Sequence, residues 1–316
     1  MARVFVTRTY PAEVLDALSA HEVVLRDKTT PASRDTLIAA LRDHDAILPT
    51  LGDMFPADLL KAAGPIRARL LANFGVGYNH IDVAAARAHG LAVTNTPGVL
   101  TDATADLALT LILATARRAG EGERLVRAGN WQGWHPTELL GMQVTGRTVG
   151  IIGMGRIGEA IARRCHFGFG MEVVFYNRSA KSPDVPARQL DSIEAVARAA
   201  DIVVVAVPGG AETHHLVGAG TLAAMGPHAI LVNIARGDVV DEAALIAALE
   251  AGQIAGAGLD VYEHEPAVPE ALRRMENVTL LPHLGSATLE TRVAMGLKAV
   301  ENILALFDGK PLVSPV

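Results

Sequence analysis

The chain has 316 residues, half of them apolar and a fifth charged, with 30 glycines and a formal net charge of −6. That length exceeds one average core, so two domains are expected, and charge without long runs of one sign excludes a basic nucleic-acid footprint. A single cysteine, Cys165, excludes an internal disulfide, and a start that reads as a strand rather than a secretory leader makes the cytoplasm the expected compartment.

In the first hundred residues, short apolar runs predict strands at 4–7, 22–25, 46–48, 70–73 and 91–94. Amphipathic stretches between them predict helices at 11–19, 33–42, 56–62 and 81–89. Pro11 and Pro56 suit first-turn positions, and Gly90 suits a helix end. Asn95-Thr96-Pro97-Gly98 breaks the pattern, and a long helix is predicted at 102–118. Its segment 105–116 is the most apolar in the chain, but it contains Asp106 and is too short to span a bilayer, so no membrane partner is expected. Residues 129–146 read as irregular and carry both tryptophans, Trp131 and Trp134. From Arg147 a second series of strands follows, at 148–152, 172–176, 202–207, 229–234, 256–261 and 278–281, and a terminal amphipathic helix at 288–307.

Strand-helix alternation predicts parallel sheets covered on both faces. The expected fold class is therefore α/β, with two doubly wound parallel-sheet domains, a Rossmann cofactor domain inserted in a flavodoxin-like substrate domain. The boundaries are set at 1–98 plus 288–316 for the substrate domain and 99–287 for the cofactor domain. The two crossings between them are expected to act as a hinge.

Val149 to Ile152 run into Gly153-Met154-Gly155-Arg156-Ile157-Gly158, and a helix is predicted at 159–165. In a G-x-G-x-x-G turn between strand and helix, Gly153 makes the turn, Gly155 lets a pyrophosphate approach the backbone, and Gly158 lets the helix pack on the strand. The helix N-terminus offers free N–H groups. Dinucleotide enzymes selective for NAD place a carboxylate at the end of the next strand. This chain has Asn177, followed by Arg178, Ser179 and Lys181. A guanidinium fork suits a 2′-phosphate, so NADP(H) is favoured, with NAD(H) open.

The combination of Gly153 to Gly158, Asn233-Ile234-Ala235-Arg236-Gly237, Gly258 to Pro266, Pro282-His283-Leu284-Gly285-Ser286 and Asn73 to Asp82 resembles the D-2-hydroxyacid dehydrogenases over nearly the whole length. Within them it is most similar to the glyoxylate and hydroxypyruvate reductases. The resemblance implies Arg236, Glu265 and His283 as catalytic residues, and elementary chemistry agrees. Ketone reduction needs a proton for the new alkoxide, which histidine supplies near neutral pH. Glu265 would orient His283, and Arg236 would hold the substrate carboxylate. The backbone N–H groups of the Gly75-Val76-Gly77 turn, with Val76 and Gly77 as the named contacts, would hold the same carboxylate.

The resemblance further implies cofactor contacts at Thr101, Arg156, Ile157, Val207, Pro208, Thr213, Ile234, Asp260, His283 and Gly285, beside Gly153, Gly155, Gly158, Asn177, Arg178 and Ser179. Asp260 would meet the nicotinamide carboxamide. The run Val207-Pro208-Gly209-Gly210 departs from the threonine-bearing run usual there. Trp134 matches a position that reaches the neighbouring subunit's substrate pocket in a homodimer; a plain interface or core tryptophan is the alternative.

His214, His215 and His264 read as bland, and no metal site is expected because no histidine pair has a third ligand. Cys165 reads as a small buried residue. Formate dehydrogenases differ by a glutamine where Glu265 stands, and the extra domain of many phosphoglycerate dehydrogenases is not expected. Missing acidity at 177 disfavours NAD-preferring D-lactate enzymes. Another class, a cofactor-sensing binding module of the corepressor type, shares the fold. The expected reaction is reduction of glyoxylate or hydroxypyruvate to the D-2-hydroxy acid with NADPH.

Overall fold

Short, mostly apolar runs three to five residues long form all the strands but one. A computed structural model describes all residues from Met1 to Val316, in two units: 1–100 with 286–316, and 101–285. In the first unit β1 (Arg3–Val6), α1 (Ala12–Asp16), β2 (Glu22–Leu25), α2 (Arg34–Asp43), β3 (Ala46–Leu48), α3 (Ala57–Ala63), β4 (Leu70–Ala72), α4 (Val83–Ala88) and β5 (Ala92–Thr94) follow one another. All pairings are parallel, in the order β2-β1-β3-β4-β5. This is the flavodoxin-like order, with its switch between β1 and β3. Ser33 and Asp82 cap α2 and α4 by accepting the N–H of Thr36 and Ala85, as short polar side chains do at helix starts.

The second unit opens with α5 (Thr101–Ala116) and α6 (Ala119–Arg127). It continues through β6 (Thr148–Ile152), α7 (Arg156–Arg163), β7 (Glu172–Tyr176), β8 (Arg188–Gln189), α8 (Ile193–Ala199), β9 (Ile202–Val205), α9 (Ala219–Ala224), β10 (Ile230–Asn233), α10 (Glu242–Glu250), β11 (Gly256–Leu259), α11 (Glu270–Arg274) and β12 (Val278–Leu280). Its seven parallel strands run β12-β11-β10-β9-β6-β7-β8. The chain reverses its direction of travel across the sheet between β6 and β9. α5 lies across β10, β11 and β12, which is why it is apolar nearly all round. No helix is long and apolar enough to cross a membrane. α12 (Leu289–Phe307) returns to the first unit and packs on α1, β3 and β4.

Several expectations need correction. The helix predicted at 102–118 stops at Ala116; Arg118 takes a left-handed φ of 53°, and a separate α6 follows. Strand β8 is not among the expected strands, being only two residues long. Strands predicted to 207, 234 and 261 end at Val205, Asn233 and Leu259, because their last residues leave the ladder to enter loops. The helix predicted from 159 begins at Arg156, inside the glycine motif.

Candidate active site

The glycine loop forms at the switch point, between the C-terminal ends of β6 and β9. Gly153 has φ +102°, and a Cβ there would lie 2.7 Å from the Ala206 carbonyl oxygen. Gly158 is already helical, and its Cβ would fall 2.2 Å from the Gly153 carbonyl oxygen, so only glycine lets α7 sit this close to the strand end. A Cβ on Gly155 would meet nothing within 4 Å, so the space above the loop is open. No side chain caps α7. Its first N–H groups, those of Arg156, Ile157 and Gly158, therefore face an open cradle with the positive end of the helix dipole behind them. These residues fit a dinucleotide pyrophosphate.

Asn177 follows β7 directly and folds back, its Nδ2 donating to the Ser179 carbonyl at 3.0 Å and to Ser179 Oγ at 3.2 Å. Arg178 and Ser179 are exposed. The Arg178 guanidinium pairs with Glu212, a carboxylate from the loop after β9 that the sequence reading does not single out. Thr213, in the same loop, donates from Oγ1 to the Pro208 carbonyl at 2.7 Å and so staples the turn that carries Val207 and Pro208.

Three further loops leave β10, β11 and the end of β12. Asn233 shapes the first. Its Oδ1 accepts the Ala235 N–H at 3.0 Å and its Nδ2 donates to the Arg236 carbonyl at 2.9 Å, just beyond buried Ile234. A Cβ on Gly237 would lie 1.8 Å from the Tyr262 carbonyl carbon, so the Arg236 loop rests directly on the backbone of the loop carrying Glu265. Tyr262 ties that loop to the third by donating its hydroxyl to the Leu281 carbonyl at 2.9 Å.

From the start of the second loop Asp260, 1 % exposed, reaches the third and accepts the N–H groups of Leu284 at 2.6 Å and Gly285 at 2.8 Å. The His283 N–H donates to the Asp260 carbonyl at 2.9 Å. Thr104, on α5 one turn beyond Thr101, donates to the Gly285 carbonyl at 2.9 Å. Clamped on both sides, His283 takes a left-handed φ of 56°, a conformation that a non-glycine residue keeps only when its surroundings hold it.

The result is a close pair: His283 Nδ1 lies 2.8 Å from Glu265 Oε2, and Glu265 Oε1 accepts the Tyr262 N–H at 3.1 Å. The side chains are 29 % and 28 % exposed, enough for a small molecule to reach them. Because a carboxylate only accepts, Nδ1 carries a proton and Nε2 is left for other partners. Burial alone would raise the Glu265 carboxyl. The hydrogen bond and charge of His283, the Tyr262 N–H and the Arg236 charge outweigh it and hold the group below its usual range. Burial pushes Asp260 up, against its two backbone donors and His283, and it lowers Arg236 against the pull of Glu265 and Asp238. The arrangement can hold an anion beside Arg236 and pass a proton through the histidine.

In the first unit, Gly75-Val76-Gly77 forms the turn after β4. Asn73, fully buried, donates from Nδ2 to the carbonyls of Gly75 at 3.1 Å and Gly77 at 3.0 Å, and the His80 Nε2 lies 3.0 Å from its Oδ1. Trp134 is 81 % exposed and Trp131 53 %, which excludes a core role for either.

His215 has a structural role. Its N–H donates to the Asp238 carbonyl at 2.7 Å, and its Nε2 lies 2.9 Å from Glu263 Oε1. That contact raises its pKa. It fastens the β9 loop to the loops of Arg236 and Glu265, and only the i+2 spacing of Glu263 to Glu265 hints at it. Cys165 is buried and burial raises its thiol to about 12. No three His, Cys, Asp or Glu side chains are grouped to hold a metal ion. A cavity of about 960 Å³ opens at the opposite, N-terminal edge of the seven-stranded sheet, between Leu140, Met142, Arg147 and Asp201, and contains none of the predicted site residues.

A Rossmann sheet with an open glycine cradle, and an Arg-Glu-His set on the loops beyond its strand ends, defines a dinucleotide-dependent oxidoreductase. Residues 109–285 match the family described as D-isomer specific 2-hydroxyacid dehydrogenase, NAD binding domain. A glyoxylate reductase of Thermococcus gammatolerans is 44 % identical over 315 residues, covering 98 % of this chain and 93 % of that one. A crystal structure of a Thermus thermophilus protein superposes with a TM-score of 0.92 at 42 % identity, covering 99 % of each chain. An NADPH-dependent glyoxylate/hydroxypyruvate reductase of Sinorhizobium meliloti, in complex with NADP and malonate, superposes with a TM-score of 0.88 at 41 % identity, covering 100 % of this chain and 96 % of that one. The chain belongs to the D-isomer-specific 2-hydroxyacid dehydrogenases, enzymes that use a nicotinamide dinucleotide.

Proposed function

We propose that this protein reduces glyoxylate or hydroxypyruvate to the corresponding D-2-hydroxy acid, with NADPH ahead of NADH. The observation that carries the reading is the His283–Glu265 pair beside Arg236, on loops beyond the same sheet as the glycine cradle. When bound, the cofactor supplies a hydride. Arg236 holds the substrate carboxylate and polarises the neighbouring carbonyl with its fixed fork. His283 gives the proton at Nε2 to the developing alkoxide, while Glu265 keeps Nδ1 protonated and stabilises the imidazolium before transfer. In the first unit, Val76 and Gly77 offer backbone N–H groups suited to a carboxylate. Gly153, Gly155, Arg156, Ile157 and Gly158 hold the pyrophosphate, and Arg178 and Ser179 the 2′-phosphate.

The complex of the Sinorhizobium reductase with NADP supports the cofactor choice. Glu212 favours a second reading, NADH, because its carboxylate lies against Arg178 where a 2′-phosphate would compete for the guanidinium. The protein acts as a homodimer in the cytoplasm. The exposed Trp131, Trp134 and Leu140 support the dimer, and Leu140 also lines the cavity at the sheet edge. The lone Cys165 suits a reducing compartment.

Initial rates with glyoxylate and hydroxypyruvate, NADPH against NADH at neutral pH, test the reading. Rapid NADPH turnover with either acid is expected, and a preference for NADH would transfer the cofactor choice to the second reading. Absence of turnover despite NADPH binding would replace both with another keto acid or a binding module. His283→Gln is expected to lose about a hundred- to ten-thousand-fold in kcat while binding NADPH as before in a fluorescence titration.

A further inference from the structure

We infer that Asn95 is a positioning residue for the substrate carboxylate, acting by fixing which way the Val76–Gly77 peptide faces. The inference rests on the proposed role of that turn. In a trans peptide the C=O and the following N–H point in opposite directions, so whatever holds a carbonyl also aims the amide behind it. The Gly75 carbonyl shares its peptide with the Val76 N–H. It accepts from Asn73 Nδ2 at 3.1 Å and from the Thr96 N–H at 3.1 Å. The Val76 carbonyl shares its peptide with the Gly77 N–H, and it accepts from Asn95 Nδ2 at 2.9 Å. The Gly77 carbonyl accepts from Asn73 Nδ2 at 3.0 Å.

All three carbonyls of the turn are thus engaged by donors of the protein, while the N–H groups of Val76 and Gly77 donate to no protein group. Two adjacent amides presented together, with their carbonyls tied back, make an anion-binding concavity. The two peptides are not equally secured. Two donors hold the first, whereas the Asn95 side chain alone holds the second, and glycine at 77 removes the steric resistance to its reversal.

Asn95 is itself held unusually firmly for a loop residue. Its N–H donates to the Ser314 carbonyl at 3.2 Å, and its carbonyl accepts Ser314 Oγ at 2.6 Å. Ser314 is in turn seated by Asn302, a fully buried side chain of α12. The Asn302 Oδ1 accepts the N–H groups of Val313 at 2.9 Å and Ser314 at 3.1 Å, and its Nδ2 donates to Ser314 Oγ at 3.0 Å. A relay of side chains therefore runs from α12 through Ser314 and Asn95 to the one peptide that no other group orients.

The test compares wild type with Asn95→Ala and with Asn95→Asp, which keeps the shape but, ionised, cannot donate and repels the Val76 carbonyl. Both variants are expected to raise KM for glyoxylate about ten- to a hundred-fold, the weight of a hydrogen bond to a charged group. They are expected to leave kcat within about threefold, a split that general loosening of the fold would not produce. Oxalate, a carboxylate probe that accepts no hydride, should weaken in calorimetry by the same factor, with NADPH affinity unchanged. If Asn95→Ala does not fold, the isosteric Asp variant carries the comparison. Wild type that reduces a 2-keto acid and binds oxalate, with both variants matching it, would overturn this inference alone. Wild type that does neither would overturn the reading of the turn together with it.

Discussion

At the scale of single residues, the site balances charges whose surroundings pull in opposite directions. Glu265 is held below its usual range in the folded protein. Its interactions therefore add stability that is fully present above the unfolded carboxyl value, about 4.3, and that disappears as pH falls through the lower folded value. Asp260 is raised by burial, so its ionised form costs stability that protonation relieves. The two contributions to the acid slope have opposite signs. Urea unfolding of Glu265→Gln is expected to show a flatter loss of stability than wild type below about pH 4.5; an equal slope would mean that the pair with His283 adds nothing. Glu212 makes a second prediction of this scale. Removing its charge frees Arg178 for a 2′-phosphate, so Glu212→Gln should raise kcat/KM for NADPH several-fold and leave NADH unchanged, as read from initial rates. Arg178→Ala should do the reverse, lowering the NADPH value alone. Glu212 is invisible in the sequence because it stands 34 positions from Arg178, and no local pattern announces a partner brought in by a different strand loop.

Elements tell how much a one-dimensional pattern contains. The alternation of apolar runs with amphipathic stretches locates every strand of both sheets except Arg188–Gln189, whose two residues are too few to show a period. The spacing also locates the glycine loop, because tight turn, open cradle and close helix packing each demand glycine at a set interval. What the pattern misjudges are ends. The helix after the loop starts three residues early, at Arg156, since the x-x-G portion is already helical. Strand ends fall earlier than expected where residues turn out of the ladder toward the site. Long-range partners are also hidden: His215 with Glu263 is 48 positions apart, and nothing near His215 marks it. Because α7 touches the strand end through Gly158, Gly158→Ala should push the helix off the Gly153 carbonyl. A loss of about 1–3 kcal/mol in unfolding free energy is expected from such overpacking, with loss of NADPH binding in the titration. A fully stable variant that still binds would show that the helix can shift without harm.

On the scale of the whole molecule, the exposed tryptophan segment bears on assembly. The protein is expected to sediment at twice its chain mass, and Trp134→Ala to keep that mass while changing the ratio of KM for hydroxypyruvate to that for glyoxylate, since the two differ by one hydroxymethyl group. An unchanged ratio would leave Trp134 as an interface residue only. The first unit has a consequence for how the polypeptide is made. Its two pieces are separated by the 185 residues of the second unit, 101–285, and α12 supplies the cover for β3 and β4. At roughly 5–20 residues per second, a ribosome takes on the order of ten to forty seconds to traverse that insertion. The inserted unit has all its own strands by then and can fold first, while the opening strands wait with one face bare for a helix not yet translated. A nascent chain arrested just before α12 is therefore expected to hold dinucleotide yet fail to hold a carboxylate, and this interval of synthesis is when a chaperone that binds apolar surface has most to protect.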